Sequence, residues 1–150
     1  MEFHEHLMFP NLTTPSRDEL LQTLGKAVID AGYARDDYVT GLQEREAEFP
    51  TGLPISGGVA IPHTSAEYAK GDTIAVATLV DPVTFHEMGG DEDSEVETHT
   101  VFLLVFSDPS EHVTLLSRLV KLLQDQAFVN TVREAPDAAT LTRILSDHIL

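Results

Sequence analysis

Residues Thr98 to His112 read T-H-T-V-F-L-L-V-F-S-D-P-S-E-H, and this stretch decides the fold class. Val101 to Phe106 is apolar without a break. That is the pattern of a strand buried on both faces, as at the centre of a sheet. The run stops at Asp108-Pro109, which opens a helix. Asp108 can cap it, Pro109 suits the first helical position, and Glu111 favours the positive end of the dipole. Val113, Leu116, Leu119, Val120 and Leu123 then recur at helical spacing. A buried strand that feeds a capped amphipathic helix is an α/β unit.

Working outward, Thr73 to Val80 (T-I-A-V-A-T-L-V) predicts a second apolar strand, and Val83 to Phe85 another that can reach Met88. Val59-Ala60-Ile61 predicts a short buried strand that stops at Pro62, because proline lacks the N–H a central ladder needs. Ser16 and Glu19 have capping-box spacing. They precede a helical face of Leu20, Leu21, Leu24, Ala27 and Val28, ended by Gly32 in the left-handed conformation. A second helix is expected from Asp36 or Asp37 to about Glu48. Val39, Leu42 and Ala47 would face its core, with Arg45 at the edge of that face. Phe49 to Gly58 reads as a loop and Thr64 to Asp72 as a turn or short helix. Gly89 to Glu97 reads as an exposed acidic loop. Two shorter helices follow, over 127–134 and 137–148, separated by Pro136. Residues 1–14 are open to two readings, a tail (flexible over 1–11) or an edge strand. The whole predicts one α/β domain over residues 1–150, a small sheet flanked by helices on both sides.

The chain has 150 residues and a 42% hydrophobic content, enough for one core. There is no cysteine, so disulfide, thiolate and cysteine-metal chemistry are excluded, and a reducing compartment fits. The first ten residues do not form a secretory signal, and no apolar run approaches a membrane span. Charge is the unusual quantity, with 25 Asp+Glu against 9 Lys+Arg and a formal net charge of −16. That balance argues against nucleic acid and against insertion into or binding to an anionic membrane. It fits either solvation in a high-salt host or steering of a basic partner.

Seven histidines are the candidate chemistry. His4 and His6 show only a weak metal spacing, and His86, His99 and His148 have no ligand-like neighbours. No pair shows the helical spacing of a metal hydrolase. His63 and His112 differ, since each follows an apolar strand. If those two strands are neighbours, both imidazoles emerge at the carboxyl edge of the sheet, where α/β proteins bind ligands. The helix opened by Asp108 adds backbone donors, and Arg45 adds a fork that can hold two anion oxygens. One imidazole as nucleophile with the others on the equatorial oxygens would suit a phosphoryl group. Spacing alone leaves plainer roles open. His63 could be a hydrogen-bonded strand end, His112 a helix-start residue bonded to its loop, and Arg45 a partner of Glu44, Glu48 or Asp37.

The segments R-E-A-E-F-P-T-G (Arg45 to Gly52) and G-V-A-I-P-H-T (Gly58 to Thr64), with a later buried strand and a histidine-bearing helix, resemble a known family. It is the enzyme IIA component of the bacterial sugar phosphotransferase system, mannitol/fructose/nitrogen type. The stretch E-R-E-A-E-F-P-T-G-L is most similar to galactitol-type IIA proteins. The resemblance spans about residues 12–148. It implies a small mixed sheet flanked by helices, a cytoplasmic phosphotransferase subunit, and no cofactor or metal. It implies that His63 is the phosphorylated residue, that Arg45 lines its site, and that His112 hydrogen-bonds near the phosphoryl group. Glu46, Thr51, Gly52 and Pro62 match positions that shape the loop. The implied partners are the phosphocarrier HPr as donor and a IIB component with its membrane IIC as acceptor, for uptake of galactitol or a fructose-like sugar. Use of Nε2 by the family implies that Nδ1–H of His63 is held by a backbone acceptor within residues 57–64. A nitrogen-type regulatory protein is the alternative within the family. An acidic interaction module with a structural His63 is the alternative outside it.

Overall fold

The computed structural model describes residues 1–149, the side chain of Glu111 excepted. Leu150, the end of the expected domain, lies outside the described residues. The elements are β1 (Met8–Leu12), α1 (Arg17–Asp30), α2 (Tyr38–Glu48), β2 (Gly52–Leu53), β3 (Val59–Ala60), β4 (Thr73–His86), β5 (Glu95–Val105), α3 (Pro109–Leu123), α4 (Gln126–Glu134) and α5 (Ala138–Ile149). The five strands form one mixed sheet in the order β1-β4-β5-β3-β2. The longest apolar run is therefore the central strand, as its two-sided hydrophobicity requires.

Alternation along β5 divides the core. Val101, Leu103 and Val105 face one helical layer with Leu20, Leu21, Leu24, Val28 and Leu42 of α1 and α2. Phe102, Leu104 and Phe106 face the other, with Leu119, Leu123, Val129, Leu141 and Leu145 of α3, α4 and α5. Helices therefore cover both faces, as expected. The helix starts follow their caps. Ser16 Oγ accepts from Glu19 N–H at 3.2 Å, and Asp108 accepts from Ser110 N–H at 2.9 Å. Gly32 ends the first helix region at φ +86°.

Five expectations need correction. Phe49 to Gly58, read as a loop, contains the two-residue strand β2. The N-terminus is not a loose tail over 1–11. Leu7 and Met8 are buried, and β1 pairs in parallel with β4 as the edge strand. Thr73–Val80 and Val83–Phe85 are one strand, not two. The register shifts between Thr78 and Val83, a bulge that accommodates Pro82 and leaves Val80 and Asp81 exposed. The acidic loop ends earlier than expected, because Glu95 to Glu97 already belong to β5. In α2 the buried stripe is Tyr38, Gly41, Leu42 and Glu46, and Ala47 is exposed. The carboxylate takes the inward position because Thr51 supplies its hydrogen bonds, as shown below.

Candidate functional site

β3 and β5 run parallel and pair directly, Val59 with Thr100 and Ala60 with Val101. The condition set by the sequence is met, and the residues that follow both strands emerge at one edge. Beyond β3 the ladder is extended by Leu104 N–H, which donates to Pro62 O at 3.0 Å. On the other side Ile61 N–H donates to Thr51 O at 3.2 Å. The turn that presents His63 is thus held from β5 and from the β2 side at once.

His63 and His112 come together edge to face, their ring centroids 5.1 Å apart. His112 lies in the first turn of α3, its N–H donating to Asp108 O at 3.3 Å. Its ring stacks on Phe106, the last apolar residue of the central run, at 4.8 Å and 26°. Its Nε2 is shut away from solvent and has no hydrogen-bond partner among the described residues. A buried imidazole nitrogen without a partner is a group waiting for one.

His63 Nδ1 is 2.8 Å from Ile61 O. A carbonyl only accepts, so the nitrogen facing it carries the proton. The neutral ring then has its lone pair on Nε2, which makes no hydrogen bond within the described residues. The local backbone acceptor expected within 57–64 is therefore Ile61. Burial pushes the pKa of His63 below its ordinary value and the charge of Arg45 adds to this, while the bond to Ile61 opposes it. Burial likewise lowers that of His112, helped by His63 and Arg45. Both rings are neutral near pH 7.

Arg45 is half-buried near the end of α2, with its guanidinium 4.3 Å from the centroid of Phe49. It makes no ion pair within the described residues, so pairing with Glu44, Glu48 or Asp37 does not occur. Asp37 takes Arg35 instead, at 2.8 Å. The charge of Arg45 is left to act on the two imidazoles. The α2 helix that carries it is tied to the histidine turn by Thr64 Oγ1, which donates to Gly41 O at 3.2 Å.

The other histidines stand apart. His4 bonds Tyr33 Oη at 2.5 Å, and His148 Nδ1 bonds Ile144 O at 2.8 Å. Among the described residues no group of three or more His, Asp or Glu could hold a metal ion. Three site residues carry no chemical role in the sequence reading. Phe106 and Phe49 are the ring platforms, and Glu46 is fully buried under the loop. The spacing of Phe49 four residues after Arg45 is the one signal that could have marked a platform.

A neutral imidazole with a free nitrogen, a second imidazole, a guanidinium and a helix start can receive a tetrahedral anion and form a bond to it. Fold and site define a class, an α/β domain that offers such a histidine at a strand end. The chain belongs to the family described as the phosphoenolpyruvate-dependent sugar phosphotransferase system, EIIA 2, which it matches over residues 1–148. It is 32% identical over 122 residues to the galactitol-specific EIIA component of Escherichia coli K12, covering 81% of this chain and 80% of that protein. It is 31% identical over 136 residues to the transcriptional regulator ManR of Bacillus subtilis, 89% of this chain but 19% of the regulator. Its fold is that of the IIA mannitol protein of Escherichia coli, with a TM-score of 0.77, 19% identity, and 97% and 99% of the two chains covered. Among the described residues no helix is long and apolar enough to cross a membrane.

Proposed function

We propose that this chain is a phosphoryl carrier whose bond-forming atom is His63 Nε2. The observation that carries the reading is the hydrogen bond from His63 Nδ1–H to Ile61 O, which leaves Nε2 unprotonated beside His112. In the first step the Nε2 lone pair attacks the phosphorus of a phosphohistidine on HPr. The donor's N–P bond breaks and its electron pair returns to the donor ring. In the second step a cysteine thiolate of a IIB component attacks the same phosphorus, and the His63 N–P bond breaks in turn. In both directions Arg45 supplies the positive charge that faces the equatorial oxygens, and His112, neutral, supplies a hydrogen bond to one of them. No cofactor is required, because the donor is already a phosphoramidate.

A structure similar in fold is a complex of IIA mannitol with phosphorylated IIB mannitol, which supports a IIB-type acceptor here. The galactitol-specific relative supports uptake of galactitol or a fructose-like sugar as the process served. Incubation with phosphoenolpyruvate, enzyme I and HPr should label His63. His63→Ala should take no label, and normal labelling of that variant would overturn the assignment. His112→Ala should still label, with slower transfer onward. A second reading has its own support in the 31% identity to part of a transcriptional regulator and the shared fold with a nitrogen regulatory protein IIA-Ntr of Neisseria meningitidis. In that reading the phosphorylation state of His63 controls a partner. Phosphoryl transfer to a cognate IIB supports the first reading, and its absence despite labelling supports the second.

A further inference from the structure

Among the described residues one carboxyl group is fully buried, that of Glu46, and the proposed chemistry does not use it. Thr51 N–H donates to Glu46 Oε1 at 2.9 Å. Thr51 Oγ1 lies 2.8 Å from Oε2 and 3.0 Å from Oε1. From Thr51 the bonds continue inward. Thr51 O accepts from Ile61 N–H at 3.2 Å, and Ile61 O accepts from His63 Nδ1 at 2.8 Å. Glu46 is also the residue after Arg45. One carboxyl group therefore stands at the junction of the helix end that carries the guanidinium and the loop that holds the imidazole.

We infer that Glu46 is a positioning residue for His63, fixing the protonated Nδ1 and the free Nε2 through Thr51 and Ile61. The inference rests on the phosphoryl-carrier reading for its kinetic consequence, but not for its effect on the ring. The coupling is mechanical and not electronic. Thr51 N–H and Thr51 O belong to different peptide units, as do Ile61 N–H and Ile61 O, so polarisation does not pass along a conjugated path. What passes is position. Glu46 immobilises Thr51 through both its backbone and its side chain. Thr51 fixes the plane of the Ile61 peptide, and Ile61, confined to extended geometry by Pro62, aims its carbonyl at the ring. Without that acceptor the neutral imidazole is free to carry its proton on Nε2, where it blocks attack.

The clamp does not depend on the ionisation of Glu46. An ionised carboxylate accepts from Thr51 N–H and Oγ1–H. A protonated one still accepts from N–H and donates its own proton to Thr51 Oγ1. Glutamine can do the same, accepting with its oxygen and donating with its amide. Leucine can do neither. The inference therefore separates Glu46→Gln from Glu46→Leu.

The test uses the full chain labelled with 15N at histidine. Two-dimensional 1H–15N spectra above the titration of His63 report which ring nitrogen holds the proton, without any phosphoryl donor. The wild type and Glu46→Gln should show His63 protonated at Nδ1. Glu46→Leu and Thr51→Val should shift the proton towards Nε2. Their rates of accepting phosphoryl from HPr should fall, on the order of 10-fold for Glu46→Leu, by analogy with the loss of a partner that orients a metal-ligating histidine. Leu141→Ala, a cavity in the other helical layer, lowers stability without touching the clamp and should leave the ring proton where it was. If Glu46→Leu does not fold, Thr51→Val decides alone, since it removes one hydroxyl and keeps the Thr51 N–H bond. An unchanged tautomer in every folded clamp variant would overturn the inference. So would a Glu46→Gln protein that behaves like Glu46→Leu, because charge and not position would then be at work. Failure of the carrier reading looks different, with His63 protonated at Nδ1 in the wild type and no label on it.

Discussion

Replacing Glu46 by glutamine should make the protein more stable at pH 8 and change it much less at pH 5. Burial raises the pKa of Glu46 from 4.5 to about 7, while the two bonds from Thr51 and the charge of Arg17 work against the rise without cancelling it. The folded chain therefore holds this proton over a range in which the unfolded chain has released it. Below about pH 4.5 both states are protonated and the group is neutral in the balance. Between about 4.5 and about 7 unfolding releases a proton, so stability falls as pH rises. Above about 7 the whole loss is present. At about 1.4 kcal/mol per unit, the rise amounts to about 3 kcal/mol. Glutamine keeps the hydrogen-bonding pattern of the protonated acid and has no charge to bury, so it escapes this loss. The assay is urea denaturation of both proteins at pH 5 and pH 8, with the difference between them as the readout. Every other titrating group is shared and cancels. Part of the loss, somewhat under ~1 kcal/mol, is already present at pH 5. An advantage for Glu46→Gln that grows by about 2.5 kcal/mol between the two pH values would therefore move the urea midpoint by roughly 1–2 M. A difference that is the same at both pH values would refute the reasoning. It would show that the Thr51 bonds and Arg17 outweigh burial and keep the carboxylate ionised in the folded state.

His63 should titrate below its ordinary value in an NMR pH series, and Arg45→Gln should raise both it and His112, since the guanidinium disfavours a second positive charge nearby. Arg45→Lys should transfer phosphoryl more slowly than wild type, because lysine keeps the charge but loses the two-pronged grip on an anion. Gly58→Ala should destabilise the fold by roughly 3 kcal/mol or more, measured by denaturation. Gly58 sits at φ +98°, and an added Cβ would lie 1.9 Å from Glu97 O, in a backbone that cannot give way. Ser16→Ala should cost about 1 kcal/mol by removing the cap on Glu19 N–H.

The large features of the fold were legible because they rest on local chemistry. Val101 to Phe106 announces a central strand by composition, and Asp108-Pro109 announces the helix that follows. What tertiary contact creates was not legible. β2 is two residues long and exists only because Gly52 and Leu53 pair with Ala60 and Val59. The single long β4 depends on a bulge around Pro82, where sequence favours a stop. The same division holds at the site. His63, His112 and Arg45 could be singled out, but their meeting was conditional on β3 and β5 being neighbours. Glu46 was placed with the loop-shaping residues. Its burial depends on Thr51, five residues on and beyond a helix end. Helical spacing from Leu42 does point at position 46, but an acidic residue there reads as exposed and the apolar Ala47 beside it as the core residue.

A carrier differs from a sink in how deeply it holds its cargo, and the site's electrostatics bear on that difference. The chain carries a formal charge of −16, yet both imidazoles sit where burial and Arg45 keep them neutral. In the proposed reaction an incoming dianionic group would meet one fixed positive charge, the backbone donors of α3 and a neutral His112. Were His112 charged, the phosphorylated state would gain a second buried ion pair and onward transfer would slow. Neutral His112 with an unpartnered Nε2 can contribute a hydrogen bond if its proton sits there, which is worth less than an ion pair. The proton position of His63 is set by Ile61, and that of His112 is left free to respond to the oxygen it meets. The two rings are thus unequal by construction. In the proposed reaction the ring held by Ile61 is the nucleophile and the ring stacked on Phe106 is the donor. This asymmetry, more than the presence of two histidines, is what the geometry contributes to a reversible transfer.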